Sequence, residues 1–180
     1  MFNQQTTLPA ARHMKDIEKI MISDYEYIVL LNSRVAQLKS ITQMAREKHK
    51  KLLVHADLVQ GLTGDEFAAQ MLCQQIRPHG IISTRKQMLL TAKKHNLLAV
   101  QRLFLLDSLA LETSYRLVSE VEPDAIEVLP GVIPKMIEEV REETKKPVIA
   151  GGLIREKSDV DTALEAGAQA VTTTRMELWR

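Results

Sequence analysis

The chain has 180 residues, 45% of them hydrophobic and 26% charged, and a net charge of +1. Such a length fits a single domain over 1–180, and the near-neutral balance excludes a general attraction to nucleic acid or membrane, so any charged patch is local. The lone Cys73 excludes an internal disulfide and suits a reducing compartment, and with residues 1–7 polar and no apolar run of bilayer length, the expected location is the cytoplasm.

Along the chain, short apolar runs alternate with longer amphipathic ones. The strand-like runs are 8–10, 27–31, 52–55, 80–82, 98–101, 125–128, 148–150 and 170–172. Between them, apolar residues recur at helical spacing: Val35, Leu38, Ile41, Thr42 and Ala45; Ile133, Met136, Ile137 and Val140; Val160, Ala163 and Leu164. Ser33, Thr63, Thr84, Asp107 and Ser158 stand where helices begin and can accept their orphan N–H groups. Gly167 stands where a helix must stop before the last strand. At three places a helix gives way through a proline to a strand: Arg77-Pro78, Glu122-Pro123 and Lys146-Pro147.

Strands alternating with helices imply a parallel sheet with crossover connections. The same rhythm serves an open doubly wound sheet, but eight units favour a compact TIM-type (βα)8 barrel.

Barrels of this kind gather function at the C-terminal ends of their strands, with phosphate often held after the last two. The seventh predicted strand ends in Gly151-Gly152, where bare backbone can approach an anion. The eighth ends in Thr172-Thr173-Thr174, whose hydroxyls complete a phosphate cradle. A tight turn and a strand end with a cap are the plainer readings of these motifs. Around the cradle, Arg12, His55, Asp57, Ser83, Arg102 and Glu127 are candidate polar contacts of a small polyol phosphate. Strand alternation places His55 and Asp57 on one face. The plainer reading makes several of these residues caps, and Arg102 with Glu127 a structural ion pair. Asp57 and Glu127 are also a candidate acid/base pair or Mg²⁺ ligands, as an isomerase or lyase of phosphorylated substrates requires. No nucleophile elbow, zinc spacing or strand-borne lysine accompanies them.

The segments 54–62, 80–84, 101–108, 127–135 and 149–154 stand in an order that resembles the glycerol uptake operon antiterminator regulatory family. The most specific stretches are Asp107-Ser108-Leu109-Ala110-Leu111-Glu112-Thr113 and Leu129-Pro130-Gly131-Val132-Ile133-Pro134. The chain departs from that pattern in its run of three threonines, where a serine-containing version is expected. The resemblance implies a non-enzymatic regulator without cofactor or metal. Its regulatory ligand is glycerol 3-phosphate, and its partner is the leader of a glycerol-metabolism messenger RNA, where it lets transcription pass a terminator.

No RNA-binding motif is legible, and aromatics are only 4%, too few for a base-stacking platform. Basic residues do cluster at predicted helix C-termini, among them Lys48, Lys50, Lys51, Lys93 and Lys94, on the face opposite the strand ends. They suit an RNA backbone or, more plainly, the helix dipole. The competing surface is the strand-end face itself, with Arg12, Arg34, Arg85, Lys86, Arg155 and Arg175. Apolar helix faces leave a homo-oligomer open.

Overall fold

A computed structural model describes residues 1–179. In chain order it runs β1 (Thr7–Ala11), α1 (Met14–Met21), β2 (Tyr27–Leu30), β3 (Ser33–Arg34), α2 (Val35–Glu47), β4 (Lys51–His55) and β5 (Val59–Gln60). Then come α3 (Glu66–Gln70), continued by a π-helical turn (Met71–Ile76), β6 (Gly80–Ser83), α4 (Lys86–Lys94), β7 (Leu98–Phe104) and α5 (Ser108–Val121). The chain finishes with β8 (Ala125–Leu129), α6 (Pro134–Thr144), β9 (Val148–Gly151), α7 (Lys157–Glu165) and β10 (Ala170–Thr173).

All eight expected strands form, and they close into one parallel barrel in the order β1-β2-β4-β6-β7-β8-β9-β10. Closure is made by Thr7 opposite Val171 and Leu8 opposite Thr172. The remaining pair, β3 and β5, forms a two-residue ribbon of its own on the strand-end side. No helix is long and apolar enough to cross a membrane, among the described residues.

Side-chain alternation sorts each strand into two cores. Leu8, Val29, Leu53, Ile82, Val100, Ala125, Ile149 and Ala170 fill the barrel interior. Phe2 plugs its N-terminal end, edge-on to the Tyr27 ring at 5.1 Å between centroids. The neighbouring residues Val54, Ile81, Ile126, Val128 and Val171 face outward to meet the helices. The stripes legible in the sequence are the ones buried there: Leu38, Ile41, Thr42 and Ala45 of α2, and Val160 and Ala163 of α7.

Two expectations are corrected. The eighth crossover position holds no α-helix among the described residues but a single 3₁₀ turn, Met176–Leu178, with the Trp179 Nε1 donating to the Thr173 carbonyl at 2.9 Å. Of the five expected caps only Asp107 acts as one, accepting from the Ala110 N–H at 2.7 Å. Helix α3 is capped by Asp65, and Thr63 instead donates to that carboxylate at 2.7 Å. Glu156 and Asp159 form a capping box on α7, so Ser158 is already inside the helix. A cap lies where the backbone leaves helical geometry, and that point is fixed by how the loop meets the barrel.

The helices before the three prolines stop on left-handed, non-glycine residues, Arg77 (φ 51°), Glu122 (φ 49°) and Lys145 (φ 55°). Gly167 (φ 93°) ends α7 as expected.

Candidate functional site

The inner layer above Leu53, Val100, Ala125, Ile149 and Ala170 is set two residues further along each strand. It consists of His55, Arg102, Glu127, Gly151 and Thr172, so the barrel interior turns from apolar to polar at its mouth. Above this layer opens a cavity of about 340 Å³, lined by Arg12, His55, Arg102, Glu127, Gly152 and Thr174 among others. Its size suits a small molecule.

Glu127 is the centre of the site and is 1% exposed. Its Oε1 accepts from the Thr172 hydroxyl at 3.0 Å. Its Oε2 stands 3.5 Å from both His55 Nε2 and Arg102 Nε. Burial by itself pushes the Glu127 carboxyl up, but the His55 imidazole, the Arg102 guanidinium and the Thr172 hydroxyl outweigh it and hold the group below the ordinary carboxylate range. Glu127 Oε2, Arg102 Nε and both ring nitrogens of His55 are buried without a hydrogen-bond partner among the described residues. Orphaned polar atoms of this kind are costly and are normally satisfied. All four belong to residues that line the cavity, which suits a polar ligand.

Gly151 is required by close approach. A Cβ there meets Thr172 Oγ1 at 2.6 Å and Glu127 Oε1 at 2.8 Å, inside the very hydrogen bond that holds the carboxylate. Its role is thus to leave room for that bond, and Gly152 and the next residue form the loop surface at the cavity. Gly152 (φ 74°) and Leu153 (φ 61°) are consecutive left-handed residues, and both line the cavity. Leu153 was not legible as a site residue, since a leucine carries no signal for this conformation. Gly131 was likewise missed as a support: its N–H donates to the Gly151 carbonyl at 2.6 Å, locking the β8 and β9 loops together.

The three threonines are engaged differently. Thr172 holds Glu127. Thr173 donates to the Ile154 carbonyl at 3.3 Å and accepts from the Arg175 N–H at 3.1 Å. Thr174 is exposed at the cavity rim, with no hydrogen-bond partner among the described residues.

Asp57 and Ser83 do not line the cavity. The expectation that Asp57 shares a face with His55 is corrected: β4 ends at His55, and a 3₁₀ turn over Ala56–Leu58 swings Asp57 aside. Its carboxylate accepts from Ser83 Oγ at 2.6 Å, the Thr84 N–H at 2.8 Å and Thr84 Oγ1 at 3.0 Å. From there it faces Arg102 Nη1 at 3.9 Å. Asp57 and Ser83 therefore position Arg102 from behind. Arg102 lies between two carboxylates, Asp57 and Glu127, and over the Phe104 ring at 4.8 Å. No group of three or more metal-ligating side chains comes together among the described residues.

At the opposite end of the barrel, three of the five candidate RNA-contacting lysines are engaged by the protein. Lys50 Nζ donates to the carbonyls of Ser23 and Tyr25, beyond the end of α1. Lys93 Nζ donates to those of Val121 and Glu122, where α5 ends. Lys51 pairs with Glu26 at 2.7 Å and covers the Tyr27 ring. Lys48 and Lys94 are exposed and carry no ion pair among the described residues. Arg46, from α2, closes the end of the π-helical turn by donating to the Ile76 and Arg77 carbonyls. Lys50, Lys93 and Arg46 thus complement helix C-termini, as the dipole favours, while Lys51 is held by a carboxylate. On the strand-end face, Arg12, Arg34 and Arg155 are exposed around the cavity.

A family model described as "Glycerol-3-phosphate responsive antiterminator" matches residues 7–179. The chain is similar to the solved structure of a glycerol uptake operon antiterminator regulatory protein from Listeria monocytogenes, at 46% identity and a TM-score of 0.95, with 99% of this chain and 96% of that one covered. A glycerol uptake operon antiterminator-related protein from Thermotoga maritima is 29% identical, with a TM-score of 0.84 and 99% of each chain covered. The YgcP protein of Escherichia coli K12 is 30% identical over 99% of this chain and 94% of its own. Barrel enzymes such as deoxyribose-phosphate aldolases are far less similar in sequence and share the fold alone.

Proposed function

The chain belongs to the glycerol-3-phosphate responsive antiterminator family, and we propose that it binds glycerol 3-phosphate in the barrel mouth and, so loaded, binds the leader of a glycerol-metabolism messenger RNA. The observation that carries this reading is the orphaned polar cluster of Glu127, Arg102 and His55 beneath a loop of two left-handed residues. The glycerol hydroxyls meet the cluster, and the phosphate lies against Gly152, Leu153 and Thr174, with Arg12 as its countercharge.

The same geometry speaks against turnover. The acid/base pair considered from sequence, Asp57 and Glu127, is split: three donors engage Asp57 outside the cavity. The role is regulatory, glycerol 3-phosphate acts as effector, and no cofactor takes part.

The RNA surface that best couples to the ligand is the strand-end face, through Arg12, Arg34 and Arg155. On the opposite face Arg46, Lys50 and Lys93 are committed to helix ends and Lys51 to Glu26. A tenfold rise in RNA affinity on loading needs only about 1.4 kcal/mol of coupling. Calorimetry tests the reading: leader RNA should bind more tightly with glycerol 3-phosphate present, and the ligand should be recovered unchanged. Replacing Arg34 and Arg155 by Gln should weaken RNA binding and flatten its salt dependence. RNA affinity indifferent to the ligand rejects the regulatory coupling.

A further inference from the structure

We propose that Glu127, with Arg102 and His55, makes the mouth selective for a secondary alcohol over the corresponding ketone, so that the protein distinguishes a glycerol phosphate from a triose phosphate. This rests on the reading that the mouth binds glycerol 3-phosphate, and it specifies what the bound polyol must offer.

The argument is one of donors and acceptors. Thr172 satisfies Glu127 Oε1 at 3.0 Å, which leaves Oε2 as the buried oxygen without a hydrogen-bond partner, in a residue that lines the cavity. An ionised carboxylate only accepts, whereas a guanidinium N–H only donates. Glu127 Oε2 and Arg102 Nε lie 3.5 Å apart, too far and too poorly aligned to satisfy one another, and His55 Nε2 stands at the same distance from the carboxylate. One ligand oxygen that completes this set must donate to Glu127 and accept from Arg102 or His55. A hydroxyl does both. A carbonyl oxygen accepts from the cation but turns a lone pair on the carboxylate, and Glu127 Oε2 stays buried without a hydrogen bond. Glu127 cannot readily escape by taking up a proton, because its surroundings favour the ionised form. It cannot swing away either, since Gly151 and Thr172 hold it from behind. Sites built to bond a hydroxyl reject analogues lacking it far more strongly than apolar pockets reject a missing methylene.

The test compares three ligands by calorimetry at neutral pH: glycerol 3-phosphate, dihydroxyacetone phosphate and 3-hydroxypropyl phosphate, which lacks the secondary hydroxyl. The wild-type protein should bind the first about 100-fold more tightly than either of the others, as expected for a lost hydrogen bond to a buried charge. In Glu127→Gln, whose amide can donate to a carbonyl, the preference over dihydroxyacetone phosphate should fall below about tenfold. The wild-type ratios need no variant, so they decide the matter even if the substitution impairs folding. Wild-type affinities for all three ligands within about threefold of one another overturn the inference, while leaving the ligand assignment intact. Failure of glycerol 3-phosphate itself to bind overturns the ligand assignment and the inference together.

Discussion

Replacing Gly151 by Ala perturbs the fold and the site through one methyl group. The backbone at Gly151 lies outside the left-handed region, so alanine is conformationally permitted, and a more constrained unfolded chain favours the folded state by about 0.4–1 kcal/mol. The new Cβ, however, falls 2.6 Å from Thr172 Oγ1 and 2.8 Å from Glu127 Oε1. Both belong to buried side chains on neighbouring strands, so relief requires moving β10 or breaking their hydrogen bond. Overpacking of a tight core costs about 1–3 kcal/mol, and a hydrogen bond to a charged group contributes about 1.5–3 kcal/mol. A net loss of about 2–5 kcal/mol follows, which in a domain of this length lowers Tm by roughly 4–20 °C. Thermal and urea denaturation measure the stability, and calorimetry with glycerol 3-phosphate measures the site, where affinity should fall at least about tenfold because Glu127 is displaced. Gly152→Ala is the control: its Cβ approaches nothing closer than 3.4 Å, so only the left-handed backbone is penalised, by about 1–2 kcal/mol. A Gly151→Ala protein with Tm within about 2 °C of wild type and an unchanged titration would refute the close-packing argument.

Thr172→Val keeps the shape but removes the donor to Glu127, and should cost about 1–3 kcal/mol in urea denaturation. Thr174→Val should change stability by less than about 0.5 kcal/mol while weakening binding of the phosphate ligand; equal effects of the two changes argue against their separate roles. Lys50→Gln and Lys93→Gln should each lose about 1 kcal/mol of stability, and Lys48→Gln and Lys94→Gln almost none; a reversed ranking removes the helix-end role. Because the folded state holds Glu127 below its unfolded value, its contribution is present above about pH 4.3 and is lost as pH falls through the folded value. Wild-type stability should therefore fall more steeply on acidification than that of Glu127→Gln, and parallel profiles count against it. Burial pushes the Cys73 thiol up to about 11, so iodoacetamide at neutral pH should leave the native protein unlabelled; labelling at the rate of the unfolded chain contradicts that placement.

Strand number and order were legible because short apolar runs and proline punctuation are local signals. His55, Arg102, Glu127 and Thr172 were legible as polar residues near the ends of those runs, and in the structure alternation sets each two residues beyond an apolar interior residue. Asp57 was misplaced because alternation holds only while the strand continues, and the strand stops at His55. The ribbon of Ser33–Arg34 with Val59–Gln60 is too short to show any period. Phe2, in an N-terminal stretch that reads as polar, closes the barrel floor through packing partners that arrive from β2. The commitment of Lys50 and Lys93 to neighbouring helix ends is a tertiary matter, since each reaches carbonyls more than twenty positions away in sequence.

The 3₁₀ turn that stands in place of an eighth helix has a practical consequence. It brings the chain's one tryptophan, Trp179, back to donate its indole N–H to the Thr173 carbonyl, one residue before the hydroxyl of Thr174 at the cavity rim. Indole emission responds to that hydrogen bond and to the polarity around it. The molecule thus carries its own optical reporter within one peptide unit of the mouth, and filling the mouth should shift or quench its fluorescence without any added dye. A saturating calorimetric titration that leaves the emission unchanged would mean that β10 does not respond to the ligand.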